Sequence, residues 1–97
     1  MNSYDKGYKN GSVEWVEKFN SLPLEERHRE IMNSFILAVK TVMWTPPGHH
    51  MGDYACGFSQ ALHDREAIHL KNLGIEKKVF IVSDMAYAIA KVFGAEE

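Results

Sequence analysis

The stretch MWTPPGHHMGD, residues 43–53, decides how this chain folds. It separates two long amphipathic segments. Because a residue that precedes proline is disfavoured in the α-helical region, Thr45 is expected to end the first segment. The Pro46-Pro47-Gly48 sequence then supplies a tight connection. We therefore predict two helices that fold back on each other as an antiparallel helix–PPG–helix hairpin.

Apolar spacing sets the bounds of these two helices. The first is predicted from Pro23, a favourable first-turn residue, to about Trp44. At 100° per residue its apolar face carries Leu24, His28, Ile31, Met32, Phe35, Val39, Val42 and Met43. The second is predicted over about 49–73 and ends at Gly74. Its apolar face carries Met51, Tyr54, Phe58, Ala61, Leu62, Ile68 and Leu73.

The N-terminal segment is predicted to contribute a shorter helix. SVEWVEKFNSL, residues 12–22, has helical apolar spacing, with Ser12 as its N-cap. The preceding SYDKGYKNG, residues 3–11, continues the apolar stripe, but its two glycines weaken a helix there. Residues 1–11 are therefore a candidate flexible N-terminal extension.

The tail IEKKVFIVSDMAYAIAKVFG, residues 75–94, also keeps helical apolar spacing. Its KVFIV portion, residues 78–82, is compatible with a short strand, after which Ser83 would cap a separate last helix. Helix is preferred, since a lone strand has no partner elsewhere in the chain. The sequence thus predicts one all-α domain, residues 1–97, built as a small bundle of three to four helices.

Composition and charge exclude several classes of protein. A net charge of −2 gives no basic surface for nucleic-acid phosphates, and a single cysteine allows no internal disulfide. The longest apolar run, FILAV at 35–39, is too short to span a membrane, and the N-terminus lacks a signal-peptide pattern. We expect a cytoplasmic protein. Five Met and eleven aromatic residues (two Trp, four Tyr, five Phe) indicate apolar surface covered by a partner or, in a homo-oligomer, by a second copy.

One short pattern occurs twice in the chain. Ser3-Tyr4-x-x-Gly7-Tyr8-x-x-Gly11 is similar to Asp53-Tyr54-x-x-Gly57-Phe58-x-x-Ala61. Aromatic and small residues share one helical face in each copy, and small residues let another helix approach closely. The pattern predicts two tight helix crossings, and a contact between subunits is one candidate place for them.

A stripe on the second hairpin helix changes from aromatic to hydrogen-bonding residues. A guanidinium and an imidazole beside aromatic rings can bind a planar, nucleotide-like anion, or they can bind an acidic helix of a partner protein. The predicted ligand-binding residues are Tyr54, Phe58, Arg65, His69 and Asn72. The alternative is that Arg65 forms an ion pair within the chain, with Glu26, Glu30 or Asp84.

Two Glu-x-x-His pairs support a second hypothesis. In di-metal carboxylate bundles, two helices each supply such a pair and two others each supply a Glu. The candidate ligands for iron, manganese or zinc, in an enzyme or a storage bundle, are Glu25, His28, Glu66 and His69. Glu25 and Glu66 lie at the margins of their apolar faces. The alternative is therefore a set of hydrogen-bonded histidines at the edge of the core.

The remaining reactive side chains do not form a catalytic set. Cys56 has no neighbour that would lower its pKa and is predicted to be a buried thiol. His49 and His50, with Asp53 one turn further on, are interpreted as the corner between two helices. His63 is placed on the polar face. Glycine-rich phosphate loops and serine elbows are absent from the sequence.

Two segments have a phage-like character. VSDMAYAIAKVFGAEE, residues 82–97, resembles the fourth helix of phage-repressor-type helix-turn-helix domains, but it lacks the preceding recognition helix and a basic face. Residues 24–73 resemble the small helical hairpins with which phages sequester signalling nucleotides, although the charged pattern expected after PPG is missing. The leading prediction is a non-catalytic regulatory or inhibitory protein that binds a protein partner or a small anion.

Overall fold

Four α-helices follow one another in the computed structural model, which describes residues 2–93. They are α1 (Ser3–Glu17), α2 (Leu24–Trp44), α3 (His50–Asn72) and α4 (Val82–Val92), with a 3-10 turn at Phe19–Ser21. No strand occurs in this part of the chain, and the helices pack together. The prediction of an all-α bundle is confirmed. Over the same residues, no helix has the length and apolarity needed to cross a membrane.

Local chemistry explains where the helices begin and end. The Asn2 side chain caps α1 by accepting a hydrogen bond from the Asp5 backbone N–H at 2.8 Å. The His49 Nδ1 atom caps α3 by accepting from the Met51 N–H at 3.1 Å. After α3, Gly74 adopts a φ of +84°, in the left-handed region that glycine tolerates. The predicted bounds of α2 and α3 are correct to within one or two residues.

Helix α1 begins at Ser3, so the predicted start at Ser12 is wrong. Residues 3–11, expected as a candidate flexible extension, form the first half of this helix. Gly7 and Gly11, which lower the helix propensity, are both buried. The packing that these glycines permit outweighs their propensity cost.

The backbones of α1 and α3 touch where the helices cross. A Cβ atom added to Gly7 would collide with the Tyr54 carbonyl, and a Cβ added to Gly57 would collide with the Tyr4 carbonyl. The contacts further along pair Gly11 with Phe58 and Ala61, and Trp15 with Glu66. Residue numbers rise together on the two helices, so α1 and α3 run parallel.

The repeated sequence pattern accounts for the symmetry of this crossing. The rings of Tyr4 and Tyr8 stack with centroids 6.4 Å apart, and so do those of Tyr54 and Phe58. The Tyr8 hydroxyl also donates to Asp64 Oδ2 at 2.6 Å. The two copies of the pattern thus pack on each other. The prediction of two separate crossings is wrong, because one crossing within the chain uses both copies.

Helix α2 packs against α3 in the opposite direction and also against α4. Its Ser34 hydroxyl is hydrogen-bonded to the Ser59 hydroxyl of α3 at 3.0 Å, and His28, nearer its start, contacts Glu66, nearer the end of α3. One apolar core cluster lies between α2, α3 and α4, and it contains Ala38, Val42, Cys56, Val82, Ala86 and Ala90. A second lies between α1, α2 and α3, and it contains Trp15, Ile31 and Leu62.

The segment between α3 and α4 departs from the prediction. Residues 75–81 are irregular, so the preferred helix through them is wrong, and 78–82 forms no strand either. Helix α4 begins at Val82, and no side chain among the described residues caps it. Ser83, the cap in the strand alternative, therefore lies inside the helix.

A buried amide side chain holds this irregular segment in place. Gln60 of α3 donates from Nε2 to the Phe80 carbonyl at 3.0 Å, and its Oε1 accepts from the Val82 N–H at 2.7 Å. Backbone groups that enter an apolar core need such partners. Gln60 therefore fixes the point at which α4 starts.

Candidate functional site

A fully buried carboxylate, that of Glu66 on α3, joins three helices. Arg27 Nε of α2 donates to Glu66 Oε1 at 2.6 Å, and Trp15 Nε1 of α1 donates to the same oxygen at 3.3 Å. His28 Nε2 lies 3.0 Å from Oε2. A second nitrogen of Arg27 donates to the Leu22 carbonyl. We call Trp15, Arg27, His28 and Glu66 the Glu66 cluster.

The Glu66 cluster keeps its carboxylate ionised. Burial raises the pKa of Glu66, but the hydrogen bond and positive charge of Arg27 lower it. Smaller contributions from Trp15 and His28 act in the same direction, and the pKa ends below its ordinary value. Arg27 is itself buried, so the two charges neutralise each other out of contact with water. Both carboxylate oxygens accept from donors of this chain, which suits a device that fixes helix positions.

The structure brings two of the four candidate metal ligands into contact, namely His28 and Glu66. Glu25 is exposed on the first turn of α2. The His69 ring lies beside the Trp15 indole, with ring centroids 5.3 Å apart. Within residues 2–93, no group of three or more His, Cys, Asp or Glu side chains could hold a metal ion.

Helix α1 covers part of the predicted ligand-binding stripe. Phe58 packs against the core cluster of Trp15, and Ala61 is fully buried. The Tyr54 hydroxyl accepts a hydrogen bond from Asn10 of α1 at 2.6 Å. The two residues that were expected to stack a planar ligand therefore contact α1, Tyr54 through its hydroxyl and Phe58 through its backbone at Gly11. Asn72 lies exposed on the last turn of α3.

Arg65, the cation of that stripe, borders a groove on the outer side of α1. This open groove has a volume of about 480 Å³ and is lined by Lys9, Ser12, Val13, Val16, Glu17 and Arg65. Val13 and Val16 are about half exposed. Among the described residues, neither Lys9 nor Arg65 forms an ion pair, so the expected pairing of Arg65 with an acidic residue of another helix is not seen. We call this surface the Lys9–Arg65 groove.

Two other sequence interpretations are confirmed. Cys56 is buried, and burial raises the pKa of its thiol to about 11, so the thiol stays protonated and unreactive at neutral pH. His49 and His50 lie at the corner before α3, where His49 is the cap and the two rings pack with centroids 4.2 Å apart.

His63, which was placed on the polar face of its helix, is buried, and that placement is wrong. Its ring lies 4.9 Å from Phe80 and 6.5 Å from Phe35, between centroids. Nε2 has no hydrogen-bond partner within the part of the chain that is described. Burial and the positive charge of Lys77 lower the pKa of His63 to about 4, against a smaller opposite effect of Asp64. The imidazole is therefore neutral at pH 7.

Sequence reasoning missed Trp15, Arg27 and Gln60 as polar partners in the core. Arg27 precedes Ile31 by one turn, and this spacing places it on the buried side of α2. A charged residue at a core position requires a buried partner of opposite sign. That signal calls for an acidic partner in the core, but Glu66 was predicted only as a metal ligand or as the hydrogen-bond partner of a histidine.

Comparisons of the chain with protein-family models, with curated protein sequences and with solved structures give no match. A functional proposal therefore depends on the chemistry of the surfaces described above.

Proposed function

We propose that this protein is a non-catalytic binding protein whose partner docks an acidic, partly aliphatic protein segment in the Lys9–Arg65 groove. One observation carries the proposal. Two cations that lack an ion pair within residues 2–93 flank two half-exposed valines. By occupying its partner's segment, the protein would act as a regulator or inhibitor.

The groove offers each kind of contact that such a segment needs. The planar guanidinium of Arg65 can bind a carboxylate in bidentate geometry, and Lys9 adds a mobile second charge. Val13 and Val16 give an apolar floor for aliphatic side chains. Glu17 lines the same groove and would repel acidic residues in its neighbourhood, which favours one direction of binding.

Rigidity of the groove is a further argument. Helix α1 is fixed against α3 by the backbone contact at Gly7 and Gly57, and at its other end by the Trp15 hydrogen bond to Glu66. A surface that is already ordered loses little conformational entropy when a partner binds.

A protein segment suits the groove better than a nucleotide-like anion. The apolar lining consists of valines, which cannot stack a base as aromatic rings do. The aromatic residues predicted for stacking, Tyr54 and Phe58, contact α1 instead. A phosphate alone could pair with Arg65 and Lys9 but would leave the two valines uncovered.

A peptide-display selection against the purified protein tests the proposal. We expect the enriched peptides to place Asp or Glu next to Leu, Ile or Val. The Lys9→Glu/Arg65→Glu double variant should weaken their binding by about tenfold or more, which corresponds to roughly 1.4 kcal/mol. The control is Lys71→Glu/Lys78→Glu, which makes the same charge change at two other exposed lysines.

NMR shift mapping then locates the binding surface. Amide shifts on α1 and around Arg65 would support the proposal. Enriched peptides that bind the double variant as tightly as the original protein would contradict it, as would shifts confined to other surfaces. A titration with inorganic phosphate that moves the same amides, without any enriched peptide, would favour a small anion over a protein segment.

A further inference from the structure

The side of α2 that faces away from the other helices carries both apolar and charged residues. Its buried side contains Arg27, Ile31, Ala38 and Val42. At 100° per residue, a row of exposed residues lies roughly opposite. This row, which we call the α2 outer ridge, consists of Glu26, Glu30, Asn33, Leu37, Lys40 and Trp44.

The apolar residues of this ridge are unusually exposed. Leu37 is 61% and Trp44 is 77% exposed, and they lie two turns apart on the same face. A tryptophan that packs fully covers about 150–250 Å², so Trp44 leaves well over half of that area in water. Met32 and Ile36 extend the apolar surface along one side of the ridge, and each is nearly half exposed. Adjoining exposed apolar residues of this size mark an interaction surface.

We infer that a second copy of this chain covers the α2 outer ridge, with the two α2 helices antiparallel across a two-fold axis near position 35. The charges of the ridge carry this inference. Glu30 and Lys40 lie five residues on either side of position 35, so the two-fold axis places Glu30 of each copy opposite Lys40 of the other. Neither residue forms an ion pair within residues 2–93 of its own chain.

The apolar residues fit the same arrangement. Leu37 of each copy lies opposite Asn33 of the other copy and about one helical turn from the other Leu37, where both leucines are shielded from water. Trp44 of one copy lies over the first turn of the other copy's α2, next to Glu26, whose carboxylate can accept the indole N–H. This chain already pairs an indole N–H with a glutamate at Trp15 and Glu66.

Self-association explains the order of residues along the ridge. In an isologous dimer one surface must complement itself, so an acidic residue that pairs across the interface needs a basic residue at the same distance on the other side of the two-fold axis. A binding site for an unrelated protein has no such requirement. The antiparallel arrangement also sets opposite helix-dipole ends beside each other, and a net charge of −2 per copy causes little repulsion.

The size of the ridge sets the expected affinity. The 21 residues of α2 span about 31 Å at 1.5 Å per residue, and a helix is about 10–12 Å wide with its side chains. The footprint on each copy is therefore about 350 Å² in projection. Over both copies this is about 700 Å², below the roughly 1,200–2,000 Å² of stable specific interfaces, so we expect a weak, reversible dimer with a dissociation constant of roughly 1–100 µM.

Sedimentation equilibrium from about 1 µM to about 1 mM protein tests the inference directly. The original protein should pass from monomer to dimer within this range. Glu30→Lys and Lys40→Glu should each weaken the dimer by about tenfold, because each creates two like-charge contacts. The Glu30→Lys/Lys40→Glu double variant should return to within about threefold of the original affinity, because it exchanges the charges and restores both pairs.

Two further variants serve as controls. Leu37→Glu should abolish the dimer, while Glu76→Lys and Lys78→Glu, which make the same charge changes in the irregular segment, should leave it unchanged. All the substituted residues are exposed, and circular dichroism verifies the fold of each variant. A protein that stays monomeric at about 1 mM would overturn the inference. A dimer whose affinity the double variant fails to restore would overturn it as well.

Discussion

Replacing Gly57 by alanine should destabilise this protein, whereas replacing Gly52 in the same helix should stabilise it. Alanine is favoured over glycine in a helix by about 1 kcal/mol, and this gain applies to both positions. What differs is the space around the added methyl group. At Gly52 it would lie 3.5 Å from Thr45 Oγ1 and from Val42 Cγ2, which is ordinary van der Waals contact.

At Gly57 the added methyl group would overlap the Tyr4 carbonyl and press against the Tyr8 backbone nitrogen. These are backbone atoms, so no side-chain rotation relieves the collision, and α1 must move away from α3. Overpacking of this kind costs about 1–3 kcal/mol or more, and we take the upper end because the obstacle is rigid. After the propensity gain, the net destabilisation is about 2 kcal/mol. The two variants should therefore differ by roughly 3 kcal/mol in the free energy of unfolding.

Urea unfolding followed by far-UV circular dichroism and by tryptophan fluorescence measures this difference. For a domain of this size, 1 kcal/mol corresponds to about 4–8 °C in Tm, so thermal scans should separate the variants clearly. Gly7→Ala provides an internal check, because its added methyl group collides with α3 at the same crossing. Once α1 has moved away from α3 to relieve one of the two collisions, the other is relieved as well. The Gly7→Ala/Gly57→Ala double variant should thus lose less stability than the two single losses together. Wild-type stability of Gly57→Ala would refute the backbone contact between α1 and α3.

Three other substitutions test the buried polar groups, all by the same unfolding measurements unless stated. Arg27→Met should lower the free energy of unfolding by about 3–5 kcal/mol, because it leaves the Glu66 carboxylate buried without its cation. The Arg27→Met/Glu66→Met double variant should recover most of this loss. An equal loss in both variants would argue against the ion pair. The contribution of neutral His63 to stability should be fully present above about pH 6.5 and fall by about 3 kcal/mol towards pH 4, because unfolding raises the pKa of His63 from about 4 to about 6.5. His63→Leu should remove this pH dependence. A pH profile that this variant leaves unchanged would exclude His63 as its source. Gln60→Leu should cost about 1–3 kcal/mol and speed hydrogen exchange of the Val82 amide, whereas unchanged exchange would show that Gln60 does not hold the start of α4.

The sequence predicts α2 and α3 well because strong local signals bound them. Proline precedes α2, the proline pair and Gly48 separate it from α3, and Gly74 adopts the left-handed conformation after α3. Helix α1 lacked such a signal. Its glycines argue against a helix by propensity, and the contact that compensates them comes from α3, some fifty residues away.

The candidate site was predictable only in part, for a related reason. The spacing of residues along α2 placed His28 near the core, and the spacing along α3 placed Glu66 near it. The structure brings these two side chains together. Whether a polar residue is buried or exposed, however, depends on which other helices and segments cover it. His63 is buried because the irregular segment brings Phe80 over it, and nothing in the local sequence specifies the path of that segment. Arg65 is exposed, and within residues 2–93 no acidic residue of another helix forms an ion pair with it.

We expect the parallel course of α1 and α3 to set the order in which this protein folds. The chain must traverse the whole of α2 before Gly57 can meet Gly7, so their contact closes a loop of about fifty residues. The α2–α3 contacts across the proline turn are much closer in sequence and can form earlier. We therefore expect α1 to dock after α2 and α3 have paired, and to be the first helix released when this order is reversed. A protease that samples the native protein should accordingly cut first between Asn2 and Pro23.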